Sequence, residues 1–201
     1  GIPVMNVPVY GTDNVSQFAV SLLLEVCSHI GHHSDSVYAG EWAENADWCY
    51  WHYPMIEVSG KTAGIIGLGR IGRDTASLCT GIGMKVAGYD PFLTKEQIEG
   101  MGYEYYANYE DLLKDCDVIS IHVPLTKETE NMVSAKQLKE MKNTAIIINC
   151  SRGGIINEAD LIEALDSGEI AGAGLDVFVG EEIHPGNPLL DAKNLIFSPH
   201  S

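Results

Sequence analysis

The sequence predicts a doubly wound α/β domain, a parallel sheet covered by helices on both faces, and three observations carry that prediction. From residue 62 onward, short apolar runs alternate with stretches of helical period. The runs are apolar throughout, as strands buried on both faces require. Between the first run and the helical stretch after it stands Gly67-Leu68-Gly69-Arg70-Ile71-Gly72, a glycine-rich strand-to-helix turn.

In chain order, Val15, Phe18, Ala19, Leu22, Leu23, Val26, Cys27 and Ile30 recur at helical spacing and predict a leading helix. Asn14 and Gln17 are placed to cap its start and Gly31 to end it. Residues 40–58 read as irregular and aromatic, with Trp42, Trp48, Trp51 and Tyr53. Strands are expected at 63–67, 85–89, 117–121, 144–149, 172–177 and 194–198, with a weaker one at 103–106. Helices are expected near 71–81, 95–100, 109–115, 134–140 and 157–166. Start signals support three of these: Thr94-x-x-Gln97, Ser134-x-x-Gln137 and Asn157-x-x-Asp160. Nothing resembles a repeat or a flexible linker. Residues 1–201 therefore read as one domain, a leading helix and arm over 1–60 followed by the α/β core over 61–201.

At 201 residues and 45% hydrophobic, the chain can bury a sizeable core. Its formal charge of −16, from 12 basic and 28 acidic side chains, repels phosphate backbones and anionic lipid. No nucleic-acid or membrane partner is expected. The cysteines at 27, 49, 79, 116 and 150 are odd in number, widely spaced and free of any C-x-x-C pair. They read as reduced core residues of a cytoplasmic protein. No apolar run approaches a membrane span, and no secretory signal layout opens the chain. Gly1-Ile2-Pro3 begins mid-pattern, as if inside a domain.

Each glycine of the turn has its own reason. Gly67 permits the tight bend, Gly69 lets the backbone touch a pyrophosphate, and Gly72 lets helix and strand pack closely. The helix N-terminus offers free N–H groups to the anion. Asp90 ends the next strand, 18 residues past Gly72, where a carboxylate accepts from ribose hydroxyls and repels a 2′-phosphate. NAD is therefore expected rather than NADP.

Three further strand ends carry reactive side chains, at the edge where open parallel sheets bind ligands. "AIIINCSRGG" delivers Arg152, whose guanidinium fork suits a carboxylate. "GAGLDVFVGEE" delivers Asp176, then Glu181 and Glu182, and "IFSPHS" delivers His200. Guanidinium, carboxylate and imidazole around a nicotinamide are the parts for oxidising an alcohol beside a carboxylate. A carboxylate partner would orient the imidazole and favour its charged form.

"GIIGLGRIG", "YDP", "HVPLT", "NCSRGG", "LDVF" and "SPH", in this order, closely resemble the D-isomer-specific 2-hydroxyacid dehydrogenases. "TDNVSQFAVSLLLE" and "GEW…CYW…P" look most like their glycerate dehydrogenase (hydroxypyruvate reductase) branch. The resemblance covers nearly the whole chain. It implies a Rossmann-type NAD-binding domain and hydride transfer between NAD(H) and a small D-2-hydroxy acid, glycerate/hydroxypyruvate or glycolate/glyoxylate. Arg152 would bind the substrate carboxylate and C2 oxygen, His200 would be the general acid/base, and Glu181 its partner. Cofactor contacts would come from Arg70 and Ile71, Val123 and Pro124, Cys150, Ser151 and Arg152, and Asp176 beside the carboxamide. The family places proline after the catalytic glutamate, whereas Glu182 follows Glu181 here; spacing from Asp176 favours Glu181 as the partner, with Glu182 the alternative. Members also carry a substrate-binding domain, expected to be absent here, so that this chain alone would turn over poorly. A homodimer through this domain and its early helix is implied as well.

Other readings stay open. A non-catalytic NAD-sensing protein on the same fold, like the family's corepressor relatives, is the alternative from a different class. Formate or phosphite oxidation is a nearer one, and the glutamate at 181 weighs against formate. His29, His32 and His33 share a helical face with Glu25 but supply no closed ligand set, so no metal is expected. His122 either lines the cleft or supports it. The tryptophans of 42–51 suit a subunit contact better than a cofactor lid.

Overall fold

A computed structural model describes residues 2–5 and 10–201; Gly1 lies outside the described residues. The chain opens with helices α1 (Thr12–Ser28), α2 (Ile30–Tyr38) and α3 (Glu41–Glu44). Alternation follows: β1 (Thr62–Ile66), α4 (Arg70–Gly81), β2 (Lys85–Tyr89), α5 (Lys95–Gly100), β3 (Glu104–Tyr105), α6 (Tyr109–Asp115) and β4 (Val118–Ile121). Then come α7 (Ala135–Glu140), β5 (Ile146–Asn149), α8 (Glu158–Ser167), β6 (Gly172–Leu175), a 3₁₀ turn (Pro188–Asp191) and β7 (Leu195–Phe197).

The seven strands of the described residues form one parallel sheet in the order β3-β2-β1-β4-β5-β6-β7. The order reverses between β1 and β4, which opens a crevice at their carboxyl ends. Successive strand residues feed opposite faces. Ile65, Val118, Ile146 and Ile148 pack with α1 and α4, whereas Ile66, Ile119 and Ile147 pack with α6, α7 and α8. Both faces are therefore apolar, the physical reason the strands show no polar alternation.

The expected core elements agree with the structure to within a residue or two. Thr94 and Gln97 close a capping box on α5, Gln137 accepts from the Ser134 N–H at 3.3 Å, and Asn157 accepts from the Asp160 N–H at 3.1 Å. The leading helix differs. It starts at Thr12 behind Gly11 with no side-chain cap, so Asn14 and Gln17 do not cap it. It ends at Ser28 rather than at Gly31, because His29 takes the left-handed conformation (φ 47°) and its N–H returns to the Glu25 carbonyl at 2.7 Å. The chain then re-enters a helix, so His29, His32 and His33 do not share one continuous face with Glu25. Within 40–58, α3 is a single turn in otherwise irregular chain.

Glycine also seats α1. A Cβ on Gly172 would lie 2.8 Å from Val26, and one on Gly174 would lie 3.2 Å from Leu22. Small residues on β6 thus let the helix lie directly on the sheet.

The turn between β1 and α4 is equally tight, since a Cβ on Gly72 would stand 1.9 Å from the Gly67 carbonyl oxygen. Gly72→Ala is expected to destabilise the fold by on the order of 3 kcal/mol, read as a lower midpoint in urea unfolding.

Candidate active site

β1 hands the chain to Gly67, whose φ of 92° turns the backbone towards α4. Asp90 stabilises that bend from the end of β2: its Oδ2 accepts the Leu68 N–H at 2.8 Å and its Oδ1 accepts the Phe92 N–H at 2.9 Å. Gly69 differs from both neighbours, because an added Cβ there would meet no protein atom within 4 Å. Its absent side chain leaves room for a ligand, not for packing. No side chain caps α4, so its first-turn N–H groups are free to face an anion.

Those groups open onto a cavity of about 760 Å³ beyond the carboxyl ends of the strands. Gly69, Arg70, Ile71 and Gly72 form one wall, Val123 and Pro124 another, and Cys150, Ser151, Arg152 and Asp176 a third. His200 stands at its mouth. The uncapped helix, the open space at Gly69 and the Arg70 side chain fit the pyrophosphate of a dinucleotide. Gly67 and Asp90 shape the loop itself, through its bend and through the Leu68 and Phe92 amides.

Arg152 follows the buried end of β5. Asn149, 2% exposed, braces the turn: its Nδ2 donates to the Arg152 carbonyl at 3.0 Å and its Oδ1 accepts the Ser151 N–H at 3.0 Å. Ser151 Oγ–H donates across to the Ile121 carbonyl at 2.8 Å, tying the loops after β4 and β5 together. The Arg152 side chain is exposed, with Nη1 donating to the Ser151 carbonyl at 2.6 Å. A Cβ on Gly153 would sit 2.0 Å from the Phe178 carbonyl oxygen, so this loop lies backbone to backbone against the one after β6.

That second loop brings up the acid. Glu181 Oε2 lies 2.7 Å from His200 Nδ1, whereas among the described residues Glu182 makes no bond to the histidine. The choice between the two acids is thus made by geometry in favour of Glu181. The imidazole beside it holds the Glu181 carboxyl below the usual carboxylate range. Since an ionised carboxylate can only accept, His200 Nδ1 carries the proton of this bond and Nε2 is left for a ligand. His200 sits at φ 56° after Pro199, and buried Asp176 anchors its turn by accepting from Ser198 Oγ–H at 2.5 Å and from the Ser201 N–H at 3.0 Å.

His122 lines the cavity but differs in kind. Burial pushes its pKa down to about 4, and Ser120 Oγ lies 2.8 Å from its Nε2, so it stands neutral as a wall residue. Burial pushes the Cys150 thiol up to about 12, which leaves it unreactive. The histidines of the arm bond one another and the backbone: His32 Nε2 meets His52 Nδ1 at 2.7 Å, and His33 Nδ1 meets the His29 carbonyl at 2.9 Å.

Sequence reasoning missed several residues here. Tyr10, Thr12 and Asn14, at the start of α1, line the same cavity. Asn149 and Ser198 position the reactive loops. A polar residue closing an apolar strand was the available signal for Asn149.

Residues 20–201 match the family described as D-isomer specific 2-hydroxyacid dehydrogenase, NAD binding domain. Hydroxypyruvate reductase from Blautia hydrogenotrophica is 50% identical, covering 100% of this chain and 62% of that protein. Glycerate dehydrogenase from Methylorubrum extorquens is 40% identical, again over 100% of this chain and 62% of the relative. A solved D-isomer specific 2-hydroxyacid dehydrogenase from Lactobacillus delbrueckii ssp. bulgaricus, in an NAD complexed form, superposes with a TM-score of 0.80 at 34% identity, over 98% of this chain and 62% of that one. The chain thus spans under two thirds of the length of these relatives.

Two outcomes follow from the cavity walls. Gly69→Ala should leave stability within about 0.5 kcal/mol and weaken NADH binding about tenfold in a fluorescence titration. For His122, the unfolded chain takes up a proton near 6.5 that the folded chain refuses until about 4. Stability contributed by its neutral form is therefore complete above about pH 6.5 and falls as the pH drops towards 4. His122→Gln should lose on the order of 3 kcal/mol less than wild type between about pH 7 and about pH 4, measured by urea unfolding at each pH.

Proposed function

Because the chain belongs to the D-isomer specific 2-hydroxyacid dehydrogenases, through their NAD-binding domain, we propose that it binds NAD(H) and carries the reacting side chains for reducing a small 2-keto acid to its D-2-hydroxy acid. The observation that carries this reading is the 2.7 Å bond between Glu181 and His200 beside a cavity that also receives Arg152 and the α4 N-terminus. Bound there, NADH supplies the hydride.

His200 gives its Nε2 proton to the carbonyl oxygen as that oxygen gains charge. In the reverse direction the same nitrogen takes the hydroxyl proton. Glu181 keeps Nδ1 protonated and offsets the imidazolium charge. Arg152 turns from its own neighbour's carbonyl to a substrate carboxylate, which a guanidinium binds in bidentate fashion. Arg70 and the first-turn amides of α4 take the pyrophosphate, and Asp90, directly after β2, disfavours a 2′-phosphate. Asp176 and the Cys150–Ser151 turn flank the nicotinamide end.

Hydroxypyruvate/glycerate and glyoxylate/glycolate are the pairs we favour, on the names of the relatives. Exposed Tyr38, Trp42, Trp48 and Trp51 support a homodimer contact through the arm. Five free cysteines suit a cytoplasmic setting, and among the described residues no helix is long and apolar enough to cross a membrane.

NADH oxidation with hydroxypyruvate, in the protein as its gene encodes it, tests the reading. His200→Ala should lower kcat on the order of a thousandfold while NADH affinity stays within about twofold. NADH binding without turnover of any 2-keto acid would favour the non-catalytic sensing alternative.

A further inference from the structure

The segment that carries Glu181 has neither helix nor strand between Asp176 and Asn187. Its own internal tether is long, the Phe178 N–H reaching Glu181 Oε1 at 3.4 Å. A much shorter bond comes from outside the loop: the Val179 N–H donates to Glu158 Oε1 at 2.6 Å. Glu158 is the first residue of α8, yet that helix start is already capped by Asn157, whose side chain takes the Asp160 N–H. The Glu158 carboxylate is thus free to leave its own helix and serve the neighbouring loop. It does so from a half-buried position, where burial raises its carboxyl above the usual range.

The peptide between Phe178 and Val179 is held on two sides. Its carbonyl lies against Gly153, where a Cβ would come within 2.0 Å, and its N–H is taken by Glu158. Gly153 directly follows Arg152, and Glu181 comes two residues after Val179. One short bond therefore fixes the peptide at which the acid loop meets the arginine loop.

We propose that Glu158 is a positioning residue for the Glu181–His200 pair: by holding the Val179 amide against the Arg152–Gly153 backbone, it sets where the Glu181 carboxylate meets the imidazole. Glu158 does not touch the reacting atoms. The proposal rests on reading His200 as the proton carrier, and it adds a residue that acts only through Glu181.

Three substitutions separate reach from charge. Glu158→Gln keeps an acceptor at the same reach without the charge. Glu158→Asp keeps the charge but falls one methylene short, and Glu158→Ala removes both. In the protein as its gene encodes it, the His200 Nδ1–H resonance is followed by NMR with labelled histidine, and Glu181→Ala supplies the reference for a lost partner. E158D and E158A are expected to weaken or displace that resonance as E181A does and to lower kcat about tenfold with NADH affinity unchanged. E158Q is expected to stay near wild type in both. An E158D resonance identical to wild type, an E158Q variant as impaired as E158A, or an E181A resonance identical to wild type would each overturn the proposal. If E158A does not fold, the E158D and E158Q pair still decides. The spectrum needs no turnover, so a protein inactive on every 2-keto acid would sink the functional reading while the resonance alone judges Glu158.

Discussion

All seven strands run in the same direction, and every feature of the candidate site depends on that constraint. Parallel strands deliver all their carboxyl ends to one rim. Gly67, Asp90, His122, Cys150, Asp176 and Ser198 each lie just past a strand end, although up to 131 residues separate them in the chain. The reversal of strand order between β1 and β4 then parts the crossover helices and leaves a crevice at that rim. An antiparallel sheet of the same strands would send alternate ends to opposite sides, and the arginine, acid and histidine could not converge.

Rim loops lack the ladder hydrogen bonds that hold strands, so something else must take their backbone amides. Here carboxylates do so repeatedly. Asp90 takes Leu68 and Phe92, Asp160 takes Ala135, Glu158 takes Val179, and Asp176 takes Ser201. Part of the large acidic excess is therefore structural. Net charge and local field also diverge. A chain of charge −16 still presents an anion with an uncapped helix N-terminus, Arg70 and Arg152 in one cavity. Short-range dipoles and guanidinium groups dominate at contact distance, whereas the distant surface charge is screened.

Much of this was legible in the residues. Strands buried on both faces must be apolar throughout, and crossover helices declare their starts through capping residues, so the core elements could be placed within a residue or two. The glycines of the phosphate turn were legible because each meets a different steric demand. The break at His29 was not: a non-glycine residue in the left-handed region leaves no compositional mark, and Gly31 was the more obvious terminator. Asn14 and Gln17 misled for a related reason, since capping residue types also occur inside helices. Glu158 and Ser198 escaped because each acts on a backbone amide or carboxylate supplied by another segment.

The sequence by itself determined the sheet, the direction of its strands, the glycine turn and the identities of the reactive side chains, because these follow from local periodicity and from motifs contiguous in the chain. Only the tertiary structure decided that Glu181 rather than Glu182 meets His200, that Asp90 accepts the Leu68 and Phe92 amides, and that the start of α1 joins the cavity wall. Those outcomes depend on distances between segments far apart in sequence. Such distances are set by how closely backbones can approach, at Gly153 against Phe178 and at Gly72 against Gly67, and no property of either segment alone contains them.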